Sequence, residues 1–236
     1  MKAVILAAGM GTRLLPLTER THKSLLLIGG KPLLEHTINA LSTNGIKDIF
    51  LVVNPFKEQI EDYFGNGSKF GVRINYLFQE NPKGGTADAL RCAKDIKESF
   101  VLINGDTFFH PSIIEKLTSN YKNCDGLIAC KEVENPKEFG ILKIENGKII
   151  KIFEKSENPP SNLANAGIYL LPEKIFKAIE RTPLSKRGEY ELTDSIQILI
   201  NEGSLFKPVA ITGFWIDIGR IEDYENAKKM VETIKK

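Results

Sequence analysis

Five places in this 236-residue chain set chemistry-bearing side chains beside glycine or at the end of an apolar run. At its head, Gly9-Met10-Gly11-Thr12-Arg13 follows the apolar stretch Ala3 to Ala8. Two glycines let a backbone approach a ligand closely and present its N–H groups. Arg13 adds a permanent positive charge with a planar fork of donors, and Lys23 supplies a second cation ten residues later. The chemistry implied is capture of a polyphosphate at the carboxyl end of a first strand. Further on, Gln79-Glu80-Asn81-Pro82-Lys83-Gly84-Gly85 offers an amide, both donor and acceptor, that can pair with a base edge. Val101-Leu102-Ile103-Asn104-Gly105-Asp106 brings a carboxylate to the end of an apolar run, where α/β sheets bind ligands. Glu154-Lys155 and Trp215-Ile216-Asp217 complete the set.

Each signal also has a plain alternative. Gly9 and Gly11 could form a turn flanked by two solvated cations, and Gly84-Gly85 a simple entry to a helix. Gly105-Asp106 is also a common turn pair, Glu154-Lys155 a solvated surface pair, and Trp215 the start of a core strand. Two well-defined loops are excluded. The dinucleotide fingerprint needs a third glycine where Leu14 stands and an acid near the end of the second strand, where the chain has Asn54. The Walker loop needs glycine before Lys-Ser, and His22 precedes Lys23-Ser24.

Hydrophobic periodicity supplies the elements that must carry these residues. Strands are expected at Ala3–Ala8, Asp48–Asn54, Val72–Gln79 and Phe100–Asn104, with Val72, Ile74, Tyr76 and Phe78 sharing a face. Helices are expected at Pro32–Asn44, at Pro55–Phe64 with Phe56, Ile60 and Phe64 aligned, and at Thr86–Lys97. That alternation predicts an α/β fold with a doubly wound, mainly parallel sheet. Beyond about residue 125 the pattern turns β-rich. Strands are expected at Gly126–Val133, Gly140–Ile144, Lys148–Phe153, after an Asn146-Gly147 hairpin, and Ala166–Leu171. Helices follow at Pro172–Arg181, at 191–202 with Leu192, Ile196 and Leu199 on one stripe, and at Glu222–Ile234 with Tyr224, Ala227, Val231 and Ile234 inward. The expected organisation is a single unit over 1–236: a nucleotide-binding half, 1–125, fused to a mixed β half, 126–236.

Gly9-x-Gly11-Thr12-Arg13-Leu14-x-Pro16-Leu17-Thr18, then Lys23 and Leu25-Leu26-x-Ile28-x-Gly30-Lys31-Pro32-Leu33, resembles the signature of the sugar-phosphate nucleotidylyltransferases, or nucleotide-sugar pyrophosphorylases. With the Gln79, Gly-Asp, Glu-Lys/Asn165-x-Gly167-x-Tyr169 and Trp-x-Asp-x-Gly stretches, five motifs run in the family's order from residue 1 to about 227. Two positions depart: His22 and Ser156 stand where the family usually has proline, and Gly85 is an extra residue in its loop. The resemblance implies a Rossmann-like nucleotidyltransferase fold whose second half binds sugar phosphate. It implies nucleotide contacts at Leu6, Ala8, Gly9, Gly11, Thr12, Arg13, Gln79, Gly84 and Gly85. It implies catalytic roles for Arg13, Lys23 and Lys155, and sugar-phosphate contacts at Gly140, Glu154, Lys155 and Asn165. Asp106 and Asp217 would hold Mg²⁺. The implied reaction joins a nucleoside triphosphate, UTP or dTTP favoured, to a sugar 1-phosphate, glucose 1-phosphate by default. A guanylyl- or cytidylyltransferase acting on mannose, heptose or an alcohol phosphate stays open, as does a non-catalytic nucleotide-sugar sensor or regulatory subunit.

Composition narrows the remaining classes. Apolar content of 42% with 26% charged residues is that of an ordinary globular chain. A net charge of +2 speaks against a nucleic-acid partner. No run reaches the roughly 18 apolar residues of a membrane span. The chain opens on a strand pattern rather than a signal peptide. Cys92, Cys124 and Cys130 are odd in number and lack Cys-x-x-Cys spacing, consistent with a reducing cytoplasm. The dispersed His22, His36 and His110 do not form a metal motif. About nine residues follow the last motif, so no C-terminal acyltransferase repeat domain is expected there. A homo-oligomer is compatible with all of this.

Overall fold

The computed structural model describes residues 1–54 and 57–234. Its elements follow the alternation of apolar patterns. Strand β1 (Lys2–Leu6) leads through a long loop to the two-residue strands β2 (Leu27–Ile28) and β3 (Lys31–Pro32), then to helix α1 (Leu33–Thr43). Next come β4 (Asp48–Val53), α2 (Lys57–Phe64), β5 (Arg73–Phe78), α3 (Thr86–Arg91), β6 (Phe100–Asn104), β7 (Thr107–Phe109) and α4 (Ser112–Asn120). The second half adds β8 (Gly126–Glu132), β9 (Gly140–Glu145), β10 (Lys148–Glu154), β11 (Leu163–Leu171), α5 (Ile175–Ile179), α6 (Leu192–Asn201), β12 (Phe206–Ala210), β13 (Trp215–Asp217) and α7 (Ile221–Ile234).

Nine strands form one sheet. Its main path runs β10-β9-β11-β6-β1-β4-β5, with β8 paired to β11 and β12 paired to β8. The β6-β1-β4-β5 section is parallel, as the βα alternation dictates, while β11 enters antiparallel beside β6. The fold is thus α/β with a large central sheet, and strands from both halves share it. β1 is flanked by β4 and β6, whose chain connections run to opposite sides, so a topological switch point lies beside it. The register is set at its end: Leu6 faces Val52 on one side and Asn104 on the other. The loops opening at Ala7, Asn54 and Gly105 therefore leave the sheet at one level.

Period-two alternation sends successive β1 side chains into different cores. Ala3 and Ile5 pack with Leu34, Ile38 and Leu41 of α1 and with Ile113 and Leu117 of α4. Val4 and Leu6 pack with Leu90 of α3, Ile175 of α5 and Leu192, Ile196 and Leu199 of α6. A third, smaller core joins distant loops: Leu14, Leu26, Ile28, Leu33, Phe108, Ile218, Tyr224 and Ala227. Leu14 follows Arg13 and Ile218 follows Asp217, so this core clamps those two positions onto one wall.

Several elements differ from expectation. β1 ends at Leu6 rather than Ala8. Phe78 is 47% exposed, because β5 is an edge strand and its final residue outruns the helices that cover the sheet. The helix from Thr86 keeps α geometry only to Arg91 and then tightens into i→i+3 turns through Ala93 and Ile96. The helix expected at Pro172–Arg181 is regular over Ile175–Ile179 alone. β7, α4 and β12 add to the expected elements, and Val231 is half-buried rather than fully inward. Pro55, Phe56 and the side chain of Ile234 lie outside the described residues. No helix among the described residues is long and apolar enough to cross a membrane.

Candidate active site

Two adjoining cavities open at the carboxyl ends of β1 and β6. The smaller, walled by fewer residues, is lined by Leu6, Ala8, Gly9, Lys23, Gln79 and Gly85, among others. The larger is lined by Arg13, Gly140, Glu154, Lys155, Asn165 and Asp217, among others. They share Thr86, Asn104, Asp106 and Glu189, so they are two lobes of one cleft. Asp106 lies on the shared boundary, close enough to Lys23, Arg13 and Asp217 for their charges to act on one another, while Lys155 lines the larger lobe. Gly11, Thr12 and Gly84 line neither lobe.

The glycine loop after β1 is shaped by Lys23. A Cβ on Gly9 would lie 3.1 Å from Lys23 Nζ, and one on Gly11 would lie 3.1 Å from Lys23 Cβ, with Gly11 at φ +64°. Only glycine accepts that conformation without strain. The Thr18 hydroxyl donates to the Gly11 carbonyl at 2.8 Å, and buried Leu14 pins the short 3₁₀ turn that carries Arg13. Lys23 Nζ then crosses behind the loop to donate to Asp106 Oδ2 at 2.6 Å.

Asp106 and Asp217 are brought together by a ladder of three residues per strand. β13 pairs antiparallel with β7, with Asp217 opposite Thr107, and the Ile218 N–H donates to the Asp106 carbonyl at 2.9 Å. Burial works against charge on Asp106, but Lys23 outweighs it and holds the carboxyl below the usual range. Burial, reinforced by the neighbouring Asp106 charge, pushes Asp217 up to about 7. Two buried neighbouring carboxylates that resist sharing negative charge suit a hard divalent ion that takes few protein oxygens. Asp106 and Asp217 therefore fit Mg²⁺. Among the described residues no third His, Cys, Asp or Glu joins them in a ligand cluster, and magnesium is commonly held by only one or two carboxylates.

On the other lobe, Gly140 sits against Glu154: a Cβ there would lie 2.9 Å from Glu154 Oε2. Glu154 Oε2 also accepts from the Thr193 hydroxyl at 3.2 Å. Lys155 occupies the left-handed region at φ +43°, unusual for a side chain of its size. That bend ends β10 and leaves Lys155 lining the cleft, while its N–H donates to the Phe139 carbonyl at 3.2 Å. Asn165 donates to the Tyr169 hydroxyl at 2.9 Å and accepts from the Gly167 N–H at 3.1 Å.

The cleft also holds residues outside the sequence-derived set. Arg187 lies among carboxylates, 2.9 Å from Glu191, 3.0 Å from Glu189 and 3.8 Å from Glu154. Burial disfavours its charge, but these carboxylates more than offset that and raise its pKa. Arg220 pairs with Glu138 at 3.1 Å across the mouth of the cleft. Asn104 lies on the shared boundary, and its Oδ1 is the single buried side-chain oxygen or nitrogen without a partner among the described residues. The charge run Lys186-Arg187-Gly188-Glu189-Tyr190-Glu191, set immediately before a helix, is the local sequence signal for Arg187.

Comparison with known proteins identifies the family. The family model described as nucleotidyl transferase matches residues 2–234. The bifunctional protein GlmU of Methanocaldococcus jannaschii is 43% identical over 231 residues, 97% of this chain and 54% of that protein. A glucose-1-phosphate thymidylyltransferase of Streptomyces griseus is 32% identical, covering 98% of this chain and 66% of its own length. The chain thus spans about half to two thirds of the curated relatives it matches. The structure of a UDP-glucose pyrophosphorylase complexed with UDP-glucose superposes with a TM-score of 0.87 at 28% identity, covering 98% of each chain. With a family match from end to end and a cleft built at the sheet's switch point, this chain belongs to the nucleotidyl transferase family, that of the sugar-phosphate nucleotidylyltransferases.

Proposed function

We propose that the chain joins a nucleoside triphosphate to a sugar 1-phosphate, releasing pyrophosphate. An oxygen of the sugar phosphate attacks the α-phosphorus in line, the new P–O bond forms, and the bond to the β-phosphate oxygen breaks. The attacking phosphate is already anionic, so no side chain must serve as nucleophile or base; alignment and charge neutralisation carry the reaction. The observation that supports this reading is the Asp106–Asp217 pair with Lys23 and Arg13 beside it, in a cleft whose larger lobe Lys155 also lines.

Arg13 and Lys23 neutralise the triphosphate and the departing pyrophosphate. Lys155, with Arg187 across the same lobe, holds the attacking phosphate, and Glu154 accepts from sugar hydroxyls. Asp106 and Asp217 would hold Mg²⁺, which would supply charge neutralisation at the phosphates. UTP and dTTP are favoured because Gln79 lines the smaller lobe, and glucose 1-phosphate is the first sugar to try. The three free cysteines suit a cytoplasmic setting. Pyrophosphate release from five nucleotides against a panel of sugar 1-phosphates with Mg²⁺ tests the reading. Release with one preferred pair supports it; binding of nucleotide-sugar without release from any pair replaces it with a sensor.

A further inference from the structure

Gln79 is 3% exposed, and its amide is not free to offer both of its ends. Nε2 donates to Asp88 Oδ2 at 2.9 Å and lies 3.4 Å from the Gly85 carbonyl. Asp88 in turn pairs with Arg91 at 3.0 Å, so it meets the amide as a carboxylate, an acceptor without a donor. Only the NH₂ end of Gln79 can face it. Oε1 makes no hydrogen bond with the described residues and is not sealed from solvent, and Gln79 lines the smaller lobe. Glycine at 84 makes the arrangement possible: a Cβ there would lie 2.3 Å from Asp88 Oδ2. Asp88 does not itself line the cleft.

We propose that Asp88 is the positioning residue for base choice: it locks the Gln79 amide so that the cleft presents an acceptor, and selects bases with an imino N–H. This rests on reading the smaller lobe as the base site. Uracil and thymine at N3, and guanine at N1, carry a donor at the middle of the pairing edge. Cytosine N3 and adenine N1 carry a lone pair there and would face Oε1 acceptor to acceptor. A buried polar group denied its partner costs far more than a lost contact, which is what makes such a site selective. UTP and CTP are nearly the same size, so the pair isolates this effect from cavity volume.

The test is binding and turnover of UTP and CTP by the wild type, Asp88→Asn and Gly84→Ala. The wild type is expected to prefer UTP by roughly ten-fold or more, about 1.4 kcal/mol. Asp88→Asn keeps size but can donate or accept, so Gln79 can turn over; the UTP/CTP ratio should narrow several-fold, chiefly through tighter CTP binding. Gly84→Ala should push the carboxylate aside and narrow the ratio in the same direction. A wild type that binds UTP and CTP equally, or prefers CTP, overturns the proposal even if both variants fail to fold. An unchanged ratio in a folded Asp88→Asn overturns it too. Binding is measured without sugar phosphate, so selective binding with no pyrophosphate release from any pair keeps the base lock and removes the transferase reading instead.

Discussion

The two lobes of the cleft are held by different forces. On the smaller side, backbone and buried side chains do the holding: β1, β4 and β6 end in register, glycines let Lys23 pass, and His22, Ser24 and Asn54 are buried where the loops meet. On the larger side charges do more of the holding: Arg187 among Glu154, Glu189 and the buried Glu191, and, at the half-exposed end of the range, Arg220 against Glu138. A buried hydrogen-bonded frame resists rearrangement, whereas exposed ion pairs exchange partners at little cost. The smaller side is therefore built before any ligand arrives, and on the larger side the exposed Arg220–Glu138 pair is the one that can open at little cost. Variants that strike each side should separate these two kinds of support.

The largest effect is expected where the sides meet. Asp106→Asn and Asp217→Asn keep size and remove charge, and each should cut turnover a hundred- to a thousand-fold, about 3–4 kcal/mol. Because the two act as a unit, the double variant should be little worse than the worse single one. Mg²⁺ titrations of turnover for the three variants decide it. Near-wild-type activity in Asp217→Asn, or fully multiplicative losses, would mean the two aspartates do not share an ion.

Next comes acid sensitivity of the smaller side. Burial, with Lys23 alongside, pulls the His22 pKa from 6.5 down to about 4, against the Gly9 carbonyl, which supports the charged form. Its Nδ1 accepts from the Ser24 N–H at 3.2 Å, so the neutral ring is the one that fits. Between pH 6.5 and 4 the unfolded chain binds the proton and the folded chain does not. Stability therefore rises with pH across that window and is complete above it. The full span is worth about 3 kcal/mol. Urea unfolding at pH 7, 6, 5 and 4.5 should show the loss, and His22→Asn should flatten it. Equal slopes for both proteins would remove His22 from the account.

Much of this frame was legible in the chain, and what was missed shares a cause. Continuous apolar runs marked β1, β4 and β6, and the residues at their ends fell where an α/β sheet binds ligands. Asp106 and Asp217, 111 residues apart, were also expected to meet, yet the ladder that joins them has three residues per strand and no periodicity to detect. Arg187 pairs locally with Glu189 and Glu191 of its own charge run, but its pair with Glu154 of β10, which turns that run toward the cleft, has no local pattern. Gln79 was expected to show both amide ends to a ligand, but Asp88, a helix away, occupies one of them. Gly84 reads as a loop residue until the Asp88 carboxylate is found beneath it. Local pattern reports what a segment buries; it does not report which distant polar group will meet it.

A smaller, diagnostic effect separates two cations of the larger side, Arg13 and Lys155. Arg13→Ala should lower kcat roughly ten- to a hundred-fold while leaving the KM for sugar phosphate nearly constant, since its charge matters most as pyrophosphate departs. Lys155→Ala should instead raise the KM for sugar phosphate by a similar factor, with some loss of kcat from misalignment. Steady-state kinetics with each substrate varied in turn would show the split. Small, equal effects of both changes on every parameter would make the two residues solvated bystanders.

The smallest effect belongs to the pair at the mouth. Arg220 and Glu138 lie 82 residues apart in sequence and meet at 3.1 Å, with side chains 52% and 38% exposed. Water screens such a pair, and holding two long side chains in one geometry costs entropy, so its contribution to stability should fall below about 1 kcal/mol. The backbone beneath is secured independently, because Asp223 Oδ2 accepts from the N–H groups of Gly219 and Arg220 at 3.1 and 2.8 Å. Glu138→Gln should thus leave the thermal midpoint within a degree or two of the wild type. Its effect should surface in sugar-phosphate binding, as a two- to five-fold change in KM that fades at 0.5 M salt, where exposed charges are screened within a few ångströms. A fall of many degrees in the midpoint would show that the larger lobe is held as rigidly as the smaller one, and the contrast between the two sides would fail.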